Sequence, residues 1–133
     1  MRFMLDTNVC IDLIRRRSAG LVRRLQRATP GDVCVSVITL SELELGVAKS
    51  AVPERNRLAL VEFMTPIAVL PYSNEVPPVY GRIRAYLEAK GTPIGSLDTL
   101  IAAHALALNL TLVTSNEREF RRVPGLPVVN WTV

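Results

Sequence analysis

Five short apolar runs, spaced along the chain with longer amphipathic segments between them, constrain the fold more than any other feature. Runs suited to β-strands lie at residues 2–5, 33–37, 67–70, 111–114 and 127–129. Helical patterns fill the intervals at 7–17, 20–28, 39–50, 53–64, 74–90 and 96–109. Local chemistry supports several ends: Thr29-Pro30-Gly31-Asp32 closes the second helix, Pro53 opens the fourth, and Gly91 stops the fifth. Strands joined through helices pair in parallel. The expected fold is therefore α/β, a three-layer sandwich with a mostly parallel central sheet flanked by helices. A chain of 133 residues, 49% of them apolar, buries a sizeable core unaided. It shows no repeat, low-complexity tract or long linker, so a single domain over 1–133 is expected.

Cys10 and Cys34 are too few for a disulfide framework or a four-thiolate zinc site. Both fall in apolar runs and read as buried thiols in a reducing cytoplasm. Asp6 interrupts the apolar stretch that an export signal needs. The longest uncharged stretch, residues 99–116, contains His104, Asn109, Thr111 and Thr114 and suits a helix followed by a strand better than a membrane span. A soluble cytoplasmic protein, with no membrane partner, is expected.

Charge is unevenly placed. The net charge is +4, and Arg outnumbers Lys fourteen to two. Between Leu13 and Gly31 there is no acid, but Arg15, Arg16, Arg17, Arg23, Arg24 and Arg27 fall there. Guanidinium forks match phosphate oxygens, which makes a polyanion the natural partner and Arg23 and Arg24 candidate contacts. A solvated helix surface is the plainer reading of the same residues.

The acids are distributed differently. In a parallel sheet the ligand site lies beyond the carboxyl ends of the strands. Asp6 follows the first strand, and Glu42 lies in the helix after the second. Asp98 lies in the first turn of the helix starting at Ser96. Asn116, Glu117 and Glu119 follow the fourth strand. Each has a local reading too: Asp6 as a helix cap, Thr39 with Glu42 as a capping box, Asp98 as a partner for a helix dipole. Together they place three carboxylates at one edge of a basic protein. Two carboxylates about 4 Å apart repel by roughly 4 kcal/mol at an effective dielectric of 20, a cost that a divalent cation removes. Hard oxygen ligands without an adjacent His or Cys favour Mg²⁺, with Mn²⁺ as a substitute, over zinc. Such an ion activates water and stabilises charge on a phosphoryl oxygen, so phosphodiester hydrolysis is the chemistry implied.

Four segments carry a closer likeness: Met4-Leu-Asp-Thr-Asn8, Ser36-Val-Ile-Thr-Leu-Ser-Glu-Leu-Glu-Leu-Gly46, Gly91-Thr-Pro-Ile-Gly-Ser-Leu-Asp-Thr-Leu-Ile-Ala-Ala-His104 and Leu112-Val-Thr-Ser-Asn-Glu-Arg-Glu-Phe120. In this order they resemble the PIN domain family, and within it the VapC-type toxins. The resemblance implies that Asp6, Glu42 and Asp98 are metal-binding acids. Many family members carry Asp where this chain has Asn116; some place an acid three residues later, which matches Glu119. Thr7, Asn8, Thr114 and Ser115 then read as supporting or phosphate-contacting residues, or as groups that satisfy local backbone. The resemblance further implies a Mg²⁺-dependent endoribonuclease that cuts structured RNA such as tRNA, leaving 5′-phosphate and 3′-hydroxyl ends. It also implies a homodimer, and a cognate VapB-type antitoxin that wraps the toxin and blocks its site; exposed apolar faces of residues 39–50 or 53–64 could form its groove, and the same faces could equally be core.

Other chemistries lack their residues. His104 is the sole histidine, so paired-histidine ribonuclease chemistry is excluded, and its place on a stripe with Leu97, Leu100, Ile101 and Leu108 marks it as core. P-loop, dinucleotide and G-x-S-x-G motifs are absent. Aromatics at 5% provide no base-stacking platform, so backbone and shape recognition by arginine fits better. Two alternatives remain open: a non-cutting RNA- or protein-binding module, marked by Asn116, and a metal-dependent DNA nuclease.

Overall fold

The computed structural model describes residues 1–132. Its elements run β1 (Phe3–Leu5), α1 (Thr7–Ile14), α2 (Ala19–Arg27), β2 (Val33–Ser36), α3 (Val37–Lys49), α4 (Pro53–Met64), β3 (Ala68–Leu70), α5 (Val76–Ala89), α6 (Ser96–Ala107), β4 (Thr111–Val113), α7 (Glu117–Phe120) and β5 (Val128–Val129). The strands form one sheet in the order β3-β2-β1-β4-β5, parallel at every pairing. The expected three-layer α/β architecture is present.

Apolar strands still alternate, because successive side chains point to opposite faces. Met4, Cys34 and Leu112 pack beneath α5 and α6, with Ile83, Leu87, Ile101 and Phe120. Leu5, Val33, Val35 and Val113 pack on the other face, under α1–α4, with Val9, Leu13, Leu21, Leu43 and Leu60. The chain steps from β1 outward through β2 to β3, then crosses back to β4 on the far side of β1. Helices therefore change face where the direction reverses, and the carboxyl ends of β1 and β4 open a crevice at that switch point.

Several helix ends differ from the sequence reading. α1 stops at Ile14 rather than residue 17 because Arg16 takes a left-handed φ of 51°. The Arg17 N–H then bonds the Asp12 carbonyl at 2.9 Å and the Arg16 N–H bonds that of Leu13 at 3.1 Å. Gly91 (φ 70°) and Asn109 (φ 57°) end α5 and α6 by the same pair of bonds. α3 starts two residues earlier than expected, since Ser36 Oγ accepts from the Ile38 N–H at 3.1 Å and makes Ser36 the cap. That removes the capping-box reading of Thr39 and Glu42. The helical turn α7 was not anticipated. Leu97, read as part of the buried stripe of α6, is 47% exposed.

His104 is core as expected: fully buried, with Nδ1 2.7 Å from Ser36 Oγ. Burial lowers its pKa from the ordinary histidine value, opposed by the Pro71 carbonyl and Glu75. The contact links α6 to the start of α3, the two helices that carry Asp98 and Glu42. Cys10 and Cys34 are buried free thiols, and burial pushes both up, Cys34 to about 12. Among the described residues no helix is long and apolar enough to cross a membrane.

Candidate active site

Asp6 leaves the end of β1 with its backbone N–H bonded to the Val113 carbonyl at 3.0 Å, which seats it at the β1–β4 crevice. Its Oδ1 accepts from the Val9 N–H at 2.8 Å, so the capping role is real. Capping spends only part of the carboxylate. The side chain is buried, and that burial raises its pKa from 3.8 to about 6, with Asp98 and Asp12 adding to the effect against bonds from Thr114 and Val9. A carboxylate held this way is short of compensating positive charge.

Asp98, in the first turn of α6, is half-buried; burial, then Glu42, then Glu119 raise its pKa. Glu42, on α3, is held by the Thr7 hydroxyl, which donates to Oε1 at 2.6 Å. The Thr7 hydroxyl also lies 3.3 Å from that of Thr39, a fully buried residue. On the opposite side Asn116 Nδ2 donates to Glu119 Oε2 at 3.0 Å, and the Asn116 N–H bonds Thr114 Oγ1 at 2.9 Å. Asp98 thus lies within reach of the charges of Glu42 and Glu119, and Asp6 within reach of that of Asp98, with Thr7, Thr114 and Asn116 bracing the acids.

Other expected residues behave differently. Glu117 bonds Arg121 at 2.7 Å and Asn130 at 3.1 Å, which turns it away from the acids. Asn8 and Ser115 are exposed beside the crevice. Arg23 and Arg24 are exposed on α2, and Arg24 lies over the Trp131 ring at 5.4 Å, part of a separate recess. Sequence reasoning missed two contributors. Thr39, read only as a cap, fixes the Thr7 hydroxyl. Arg15 lines a groove of about 150 Å³ with Ile11, Ile14, Leu43 and Leu60 that begins at Glu42. No sequence signal marked the latter, since the left-handed turn at Arg16 is seen only in the structure.

Whether the site suits a cation depends on its donors. All are carboxylate or amide oxygens, and among the described residues no Lys or Arg forms an ion pair with Asp6, Glu42, Asp98 or Glu119. Buried or half-buried carboxylates without a cationic partner, as Asp6 and Asp98 are, are the donor chemistry of a hard divalent ion. Their spacing is looser than a closed coordination shell: among the described residues no three Asp, Glu, His or Cys side chains converge on one point. Glu42 is tied to Thr7 and Asp6 to Val9, so coordination requires the side chains of Glu42 and Asp98 to turn inward. The set fits a divalent ion by chemistry, with side-chain closure as the condition.

A parallel sheet with carboxylates at its switch point defines a class, and the chain belongs to the PIN domain family, which matches residues 3–126. Its curated relatives are VapC ribonucleases. The tRNA(fMet)-specific endonuclease VapC of Salmonella typhimurium is 45% identical over 98% of both chains, and that of Shigella flexneri is 42% identical over 99% of both. The crystal structure of DNA-bound VapBC from Salmonella typhimurium contains a chain that superposes with a TM-score of 0.93 at 41% identity, covering 98% of each. The resemblance drawn from the four motifs holds along the whole chain.

Proposed function

We propose that this chain is a metal-dependent endoribonuclease, the toxin of a VapBC-type pair, acting on structured RNA with tRNA as the substrate class. It works as one nuclease domain over residues 1–133, in the cytoplasm, where Cys10 and Cys34 stay reduced. The observation that carries the reading is that Asp98 lies near enough to Glu42 and Glu119 to feel their charge, and Asp6 near enough to feel that of Asp98, while among the described residues no arginine or lysine forms an ion pair with any of the four. The 45% identity to a tRNA-specific endonuclease supports the substrate class.

Asp6, Glu42 and Asp98 would hold the cation, which we assign as Mg²⁺ with Mn²⁺ able to replace it. When bound, it supplies an activated water and charge stabilisation at the scissile phosphate. The protein's own residues do the rest. Thr7 fixes the orientation of Glu42, leaving its second oxygen free. Thr114 positions Asp6, and Asn116 orients Glu119 so that the acid lies beside Asp98. Asn116 therefore costs the site no charge, because Glu119 supplies it; this favours cutting over the non-cutting alternative. A VapB-type antitoxin would fill the apolar groove between α1, α3 and α4 and reach Glu42 from its end, on a homodimeric toxin.

The test uses purified antitoxin-free protein with total RNA and with duplex DNA, each with Mg²⁺ and with chelator. Metal-dependent RNA fragments support the proposal. Binding without fragments, or nicking confined to DNA, overturns it.

A further inference from the structure

Away from the acids, at the amino ends of β1 and β2, lies a recess of about 280 Å³ lined by Arg2, Phe3, Arg24, Arg27, Asp32 and Trp131, with the turn before β2. Its arginines are arranged, not scattered. Phe3 and Trp131 meet edge to face at 5.2 Å between centroids, and the pair forms a small platform. The Arg2 guanidinium rests 4.8 Å from the Phe3 centroid and that of Arg24 5.4 Å from the Trp131 centroid. Arg27 joins them from the last turn of α2. Among the described residues none of the three pairs with a carboxylate; Asp32, the single acid in the recess, faces the Met1 ammonium at 3.8 Å. Among the described residues the buried Trp131 indole N–H also has no acceptor.

Three guanidinium groups around one cavity with a single carboxylate, itself facing the Met1 ammonium, leave an excess of positive charge. Stacking on aromatic faces orients them but cancels no charge. Phosphate oxygens supply the missing charge and match the guanidinium fork. Parallel strands put this recess and the acids at opposite ends of β1. At about 3.3 Å per residue, Arg2 and Asp6 are separated by roughly 13 Å along the strand. That span is small for a folded RNA and too long for one nucleotide step.

We infer that the Arg2–Arg24–Arg27 recess binds backbone phosphates of the structured RNA substrate, a second anchoring point away from the cleavage crevice. This rests on the RNA-cleaving reading above. It distinguishes substrates by reach: only an RNA that spans the roughly 13 Å between the two ends of β1 gains both sets of contacts.

The test measures binding of an unmodified tRNA transcript to the full chain carrying Asp98→Asn, so that RNA is bound without being cut, across about 50–200 mM salt. Adding Arg2→Ala and Arg27→Ala should weaken binding and reduce the log–log salt slope by about 1.4 to 1.8, from about 0.7 to 0.9 for each lost phosphate contact. Arg2→Lys with Arg27→Lys should restore most of the slope, as charge rather than shape is being read. Thermal melts check the fold; should the Arg2 variant melt early, Arg27→Gln, on an exposed and unstacked side chain, carries the test alone. An unchanged slope overturns the inference, as does a loss of antitoxin binding with tRNA binding intact, which would assign the recess to protein. Failure of wild-type protein to cut RNA with Mg²⁺ would instead overturn the nuclease reading, so the two failures are distinguishable.

Discussion

Replacing Asp6 with Asn should abolish cleavage and make the metal-free protein more stable. Asp6 is 3% exposed, and its carboxyl is raised from 3.8 to about 6. At neutral pH that shift disfavours the ionised folded state by about 3 kcal/mol. Asn removes the charge while keeping an oxygen for the Val9 N–H, and the Thr114 hydroxyl can turn to accept from the new amide. Most of the penalty should therefore be recovered, a rise in Tm of roughly 5–10 °C for a chain of this size. The pH dependence has a definite sign. A carboxyl raised in the folded state contributes stability that is full below about 3.8 and is lost as pH rises through about 6. Wild-type protein in chelator should lose stability relative to Asp6→Asn across that window, and Mg²⁺ should return it to the wild type only. Calorimetry of both proteins at several pH values, with chelator and with Mg²⁺, reads all of this. An Asp6→Asn protein less stable than wild type at pH 7, or equal stabilisation of both by Mg²⁺, would refute the reasoning.

Further outcomes are equally specific. Asp98→Asn should eliminate RNA cleavage with a native circular dichroism spectrum; retained cleavage would count against the site. Thr7→Val removes the 2.6 Å bond to Glu42 and should weaken Mg²⁺ affinity by about 10- to 100-fold, measured by calorimetric titration, with little change in melting. Arg16→Gly relieves a left-handed backbone at φ 51° and should stabilise by about 1 kcal/mol in urea, whereas a lower midpoint would show that the arginine side chain matters more. His104→Ala should cost roughly 2–4 kcal/mol through a cavity and a lost Ser36 contact. Because burial lowers the His104 pKa, its contribution is present above about 6.5 and is lost as pH falls through the lower folded value. His104→Gln should flatten that acid limb, and an unchanged limb would show that another group titrates there.

The fold was legible because strand and helix differ in apolar period, and β1 through β5 all fall in the runs read from the sequence. What escaped depended on tertiary context. Val37 reads as strand by its β-branched side chain, yet Ser36 caps α3 at that point and draws Val37 into the helix. α6 is buried on most sides, so its periodicity holds little information about which residue faces out, and Leu97 was misplaced. α7 is one turn long, too short to show a period. Within the site, the acids could be seen by their positions after strands, but not which way each points. Glu117 and Glu119 are alike in composition; the Glu117–Arg121 pair separates them, and only the fold adds Asn130. The arginine recess combines residues from both ends of the chain, a proximity that no local spacing encodes.

Diffraction from crystals grown with Mn²⁺ and without antitoxin, read at the manganese absorption edge, tests the central claim most directly. An anomalous peak bonded to oxygens of Asp6, Glu42 and Asp98 is the expected result. A peak bound elsewhere, or none at saturating Mn²⁺ with those three side chains still apart, would contradict it.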